Sequence, residues 1–153
     1  MRTYHLIVAG LVCGLTAPAS AQSNAPAADM PVQRVLGIGG FFFRAQDPKM
    51  LAEWYRANLG INLTPTSYDV QPWTQEAGPT VFGPFRATTE YFGNAEKQWM
   101  LNFRVADLDA MMAQLQANGI EVEMEGDEFP NGRFARLVDP EGNPIQLWEP
   151  KEP

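Results

Sequence analysis

Phe43-Arg44-Ala45-Gln46-Asp47, with Ala57-Asn58 closing the segment, returns sixty residues later as Phe103-Arg104-Val105-Ala106-Asp107 with Ala117-Asn118. A phrase repeated at a constant offset identifies tandem units, because equivalent positions then carry equivalent structural duties. Each copy reads as a strand running into a capped helix. The repeat sets module one at residues 34–95 and module two at residues 96–150, with a short tail at 151–153.

Alternation along the two leading strands assigns their faces. In residues 35–45, Gly39, Phe41 and Phe43 point one way and Gly40, Phe42 and Arg44 the other. In residues 98–105, Leu101, Phe103 and Val105 share a face, opposite Met100, Asn102 and Arg104. The apolar faces belong under a helix, which leaves the mixed faces looking into a shared interior. Asp47-Pro48 is an N-cap with proline at the first helical position, followed by a stripe of Met50, Leu51, Trp54, Tyr55 and Leu59 before Gly60 stops the helix. Asp107 repeats the cap, with Leu108, Met111, Met112 and Leu115 as the stripe and Gly119 as the stop. Further strands are expected at 61–64, 80–85 and 88–92 in module one, and at 120–124, 133–138 and 144–149 in module two. The fold expected is therefore α+β: two tandem βαβββ modules forming a curved mixed sheet around a central cleft. Residues 67–79, with Tyr68 and Trp73, read either as a loop over that cleft or as a plain surface loop.

Residues 1–21 read as a secretory signal, with Arg2, an apolar run from Leu6 to Leu15 and Ala19-Ser20-Ala21 before Gln22. A lipoprotein signal fits less well, because Val12 stands before Cys13 where a small residue belongs. The expectation is a secreted or periplasmic protein with no membrane association after cleavage, preceded by a flexible leader at 22–33. Cleavage removes His5 and Cys13, the only histidine and the only cysteine. Disulfides, thiol nucleophiles and imidazole chemistry are then excluded from the remaining chain. The formal charge of −7 disfavours nucleic acid and anionic lipid as partners.

The Asp47-Pro48 helix start with Tyr55 in it, and the closing Asp139-Pro140-Glu141-Gly142-Asn143-Pro144-Ile145-Gln146-Leu147-Trp148-Glu149-Pro150, resemble the vicinal oxygen chelate superfamily. That group holds glyoxalase I, bleomycin-resistance proteins, fosfomycin-resistance enzymes and extradiol dioxygenases. The resemblance spans residues 34–150 and implies a divalent metal between the modules, held by His or Gln on each first strand and a carboxylate on each last strand. Carried over, those positions are Gly40, Met100, Glu90 and Gln146, of which only Glu90 keeps the expected chemistry. No metal is therefore expected as cofactor, with a divalent ion held by other residues as the alternative. Gln146 also takes the place of the glyoxalase base, and an amide accepts no proton at neutral pH. Arg44 and Asn94 match the positions that hold the glutathione carboxylate in glyoxalases. Ahead of that role stands the pairing of Arg44 with an acid of the same chain, since Arg104 repeats it and a repeated residue is often architectural.

The cleft is expected to present Phe42, Met100 and Trp148 as walls and Glu90, Asn102, Gln146, Arg44 and Arg104 as polar groups, either open to a ligand or packed shut. Glu90, if desolvated among aromatics, would serve as general acid or base. Three functions stay in view. The first is a metal-free protein binding a small, partly aromatic or anionic molecule. The second is a lyase or isomerase of the glyoxalase type using Glu90. The third is a structural or partner-binding subunit. Pairing of two copies as a homodimer is compatible with all three.

Overall fold

Two helices and four strands follow one another as α1 (Pro48–Leu59), β1 (Leu101–Arg104), α2 (Leu108–Ala117), β2 (Glu123–Met124), β3 (Gly132–Val138) and β4 (Pro144–Pro150). The computed structural model describes residues 33–151. The expected signal, all but the last residue of the leader and the end of the tail lie outside the described residues. The described residues 33–40 belong to a unit separate from the rest. Within it, residues 33–40 carry no ladder, and Val35 and Leu36 are almost fully exposed.

Both helix starts follow the sequence. Asp47 accepts from the Met50 N–H at 3.0 Å and Asp107 from the Ala110 N–H at 2.8 Å, each satisfying an orphan donor of the first turn. Gly60 ends α1 in the left-handed region at φ 68°, open to glycine without steric cost. The end of α2 falls at Asn118, one residue before the expected glycine. Leu51 and Tyr55 of α1 and Leu108 and Leu115 of α2 are buried as their spacing predicts, whereas Met50 is exposed.

The sheet has the order β1-β4-β3-β2, parallel between β1 and β4 and antiparallel elsewhere. Module two thus has its β-α-β-β-β order. Ile145, Leu147, Ala135 and Leu137 face the helices and join Leu51, Tyr55, Leu108, Leu115 and Val122 in one core. Burying a leucine or isoleucine contributes roughly 1.5–3 kcal/mol, so each of these core side chains is a large fraction of a domain's net stability. The opposite face carries Asn102, Gln146 and Arg136 in one row and Arg104, Trp148 and Phe134 in the next. Among the described residues no helix is long and apolar enough to cross a membrane.

Module one differs from expectation. Its four expected strands carry no ladder, and of its elements only α1 forms. Each segment contains its own weakness. Gly37, Gly39 and Gly40 put three residues of high backbone entropy into the first, Pro65 follows the second, and Gly83-Pro84 interrupts the third with a residue that has no N–H. The fourth folds into turns, with the Thr89 N–H on the Arg86 carbonyl and the Gly93 N–H on the Glu90 carbonyl, both at 2.9 Å. Phe42 and Phe43 consequently lie outside the core, at 93% and 36% exposure.

Candidate functional site

The two stretches that carried the family resemblance touch each other. Tyr55 donates to Asp139 at 2.9 Å, and Glu141 accepts from the Gln46 and Asp47 N–H groups at 2.9–3.0 Å, so the last turn closes on the start of α1. Lys97 donates to the Glu141 carbonyl and to Asn143 from the other side, at 3.1 and 2.9 Å. This construction fixes the Asp139–Asn143 turn and hence the register of β4 on β3. Arg136 is thereby set opposite Gln146 and Phe134 opposite Trp148.

Gln146 is 3% exposed and sits at the centre of a polar cluster. Its Oε1 accepts from Asn102 Nδ2 at 2.7 Å, and its Nε2 donates to the Tyr91 phenol oxygen at 2.9 Å and to the Glu125 carboxylate. Both N–H groups and one of two lone pairs are therefore engaged. Glu125 also accepts from Arg136 Nε, and Arg136 Nη1 donates to the Tyr91 carbonyl. The Arg136 guanidinium carbon lies 4.3 Å from the centroid of the Tyr91 ring, within cation–π range. Beside this cluster Phe134 stacks on Trp148 at 5.9 Å and 6°, and Trp148 Nε1 donates to the Asn131 carbonyl at 2.9 Å.

Of the residues expected at the site, Asn102, Gln146 and Trp148 are brought together. Met100 is half-buried just ahead of β1. Arg104 shares the face but reaches the Glu76 and Ala77 carbonyls at 2.6 and 3.3 Å, pinning the 67–79 loop. Its repeat partner Arg44 is exposed and makes no ion pair among the described residues, which corrects the idea that the pair is architectural in both copies. Asn94 spends its side chain on a local turn, accepting from the Glu96 N–H at 2.8 Å. Glu90 is exposed, so the desolvation expected of it is absent. Phe42 is almost fully exposed.

Tyr91, Glu125 and Arg136 are the residues that sequence reasoning missed. The signal for Arg136 was present, because a hairpin counted outward from the 139–143 turn pairs it with Gln146. Nothing comparable marks Tyr91, whose placement depends on irregular backbone.

The four positions at which the superfamily holds a metal do not fit a divalent ion. Gly40 offers no donor, Met100 a soft thioether, Glu90 an exposed carboxylate, and Gln146 an amide already committed to three partners. A fixed cation, Arg136, already neutralises Glu125 beside it. Among the described residues no group of three or more His, Cys, Asp or Glu is placed to share an ion. Hollows of about 490 and 570 Å³ lie elsewhere, the first lined by Gln116 and residues 119–123, the second including Val105, Glu128, Arg133 and Glu149.

Residues 40–148 match the family of glyoxalase-like domains, and the chain belongs to that family, within the vicinal oxygen chelate superfamily that its motifs resemble. No curated protein matches it. A glyoxalase/bleomycin resistance protein from Streptomyces sp. CB03234 is 38% identical over 34% of this chain and 46% of its own, with a TM-score of 0.31. The chain thus spans under half the length of that protein. TnmS3, an antibiotic binding protein from the same Streptomyces, is 24% identical over 69% of this chain and 88% of its own, with a TM-score of 0.46. A lactoylglutathione lyase from Agrobacterium tumefaciens is 20% identical over 67% and 86%, with a TM-score of 0.42.

Proposed function

We propose that this protein is an exported, metal-free member of its family that binds a small molecule on the sheet face around Gln146. The observation that carries the reading is the state of Gln146 itself. The position that would supply the metal-binding carboxylate and base is a buried amide held by Asn102, Tyr91 and Glu125. Such a group orients and recognises a ligand and does not move a proton. Phe134 and Trp148 supply an aromatic wall beside it, and Arg136 a fixed positive charge. Export rests on the N-terminal apolar run and the Ala19-Ser20-Ala21 sequence. Pairing with a second copy rests on the edge of β1 that has no ladder partner among the described residues.

The test is elemental analysis of the purified protein together with thermal melts in nickel, zinc, manganese and iron and in a panel of small aromatic and anionic compounds. The expected result is no bound metal, no shift with any ion and an upward shift with at least one organic compound. Metal near one per chain, or stabilisation by an ion, overturns the metal-free reading. A panel without a single shift overturns the binding function.

A further inference from the structure

Tyr91 is 40% exposed and sits on backbone without a ladder, yet its side chain makes the contacts of a bound molecule. Its ring lies parallel to Phe85, at 5.1 Å and 8°. The Arg136 guanidinium carbon stands 4.3 Å from its centroid, and its phenol oxygen accepts from Gln146 Nε2 at 2.9 Å. The ring forms no part of the core cluster. A phenyl face, a guanidinium and a buried amide N–H are together what the recognition of a free phenol requires.

We infer that Tyr91 is a resident stand-in for the ligand, and that the site takes a planar hydroxy-aromatic molecule that binds by displacing the Tyr91 ring from Arg136 and Gln146. The inference rests on the proposed reading of this face as a binding site.

Displacement needs little rearrangement. The Tyr91 backbone is held separately, its N–H on Thr89 Oγ1 at 3.2 Å and its carbonyl on Arg136, so rotation about the side-chain bonds moves the ring and leaves these in place. Once the ring is out, Gln146 is left with a buried donor lacking an acceptor, which is unfavourable until an occupant supplies an oxygen. An aromatic hydrocarbon without oxygen cannot do so. Glu125 fixes the charge preference. Its carboxylate already pairs with Arg136 and accepts from Gln146, so the Arg136 charge is largely spent within the protein and the cluster offers a carboxylate ligand no net positive charge to offset its desolvation. A neutral phenol is favoured over an anion. Because Tyr91 competes from within the molecule, the apparent affinity of the intact protein is lowered by the fraction of time that the site is open.

The experiment is calorimetric titration of the full-length protein with 2-naphthol, with naphthalene as the control lacking oxygen, on wild type, Tyr91→Phe and Tyr91→Ala. Affinity for 2-naphthol is expected to rise in that order, with Tyr91→Ala at least tenfold tighter than wild type and naphthalene at least tenfold weaker than 2-naphthol in that variant. Equal or weaker binding by Tyr91→Ala overturns the stand-in. Equal affinity for the two probes overturns the role of the Gln146 donor. Tyr91→Phe keeps the ring and its packing, so a folding defect confined to Tyr91→Ala still leaves the comparison with wild type decisive at about threefold. The underlying binding reading fails separately: a compound that stabilises wild type but binds Arg136→Gln equally well shows that this face is not the site.

Discussion

Asp139 is a carboxylate with 3% exposure that makes no ion pair among the described residues. It is held instead by four neutral donors: the Tyr55 phenol at 2.9 Å, the Glu141 and Asn143 N–H groups at 2.9 Å each, and Asn143 Nδ2 at 2.7 Å. Hydrogen bonds to a charged acceptor are the stronger kind, and a buried carboxylate that loses one keeps its desolvation penalty. Burial, and after it the Asp139 charge, push the Tyr55 phenol well above its usual range. A folded value raised above the unfolded one gives stability that is complete below the unfolded value and declines as pH rises beyond it, because the unfolded chain releases the proton first. With an ordinary phenol value of 10.0, the loss begins above pH 10. Tyr55→Phe is expected to be about 1–3 kcal/mol less stable at pH 7 and to lack the Tyr55 share of the alkaline decline. Urea unfolding of both proteins at pH 7 and pH 11 measures this, and a gap between them that does not narrow at the higher pH refutes it.

Both helices borrow a carboxylate from the end of the chain in addition to their own caps. Glu141 reaches the Gln46 and Asp47 N–H groups ahead of α1, and Glu149 accepts from the Leu108 N–H at 2.6 Å at the start of α2. Negative charge at these positions also meets the positive end of each helix dipole. Glu141→Gln keeps an acceptor and loses the charge, and is expected to lower stability by about 1 kcal/mol, with Glu141→Ala lowering it further. Equilibrium unfolding with an unchanged denaturant slope checks the order, and an Ala variant as stable as the Gln variant would count against the cap. The caps at Asp47 and Asp107, the stop at Gly60 and the hairpin around the 139–143 turn were legible because each rests on residues a few positions apart. The expected module-one strands carry no ladder among the described residues, and glycines and prolines stand inside or beside them, where they oppose the alternation. For the site, Asn102 and Gln146 are legible because they stand on a first and a last strand of the sixty-residue pattern. Arg136 and Glu125 stand on β3 and beside β2, where only cross-strand register reveals them.

Residues that match at the sixty-residue offset are placed differently within the molecule. Asn58 and Asn118 still meet, with Asn118 Nδ2 donating to Asn58 Oδ1 at 3.0 Å and Gln114 donating to the Asn58 carbonyl at 2.9 Å, which ties α1 to α2. Arg104 holds a loop while Arg44 makes no ion pair among the described residues, where the four strands all follow residue 100. The consequence is an edge: β1 pairs with β4 on one side and has no ladder partner on the other among the described residues. Beside that edge Phe41 and Phe43 each pack against Trp99 at 5.0 Å, while Phe42 between them is 93% exposed. Val81 and Phe82 are exposed at 78% and 89%. Open strand edges and large exposed apolar side chains together favour association, and the net charge of −7 opposes random contact more than it opposes one specific pairing. The protein is therefore expected to form a dimer that tightens with added salt, since screening removes the repulsion between like-charged copies. Phe42→Ser changes an exposed side chain and should leave monomer stability within about 0.5 kcal/mol, while raising the dimer dissociation constant at least tenfold. Sedimentation velocity across a hundredfold range of concentration, at low and high salt, distinguishes the outcomes. A single monomeric species throughout, or a dimer indifferent to Phe42→Ser, would place the association surface elsewhere or remove it.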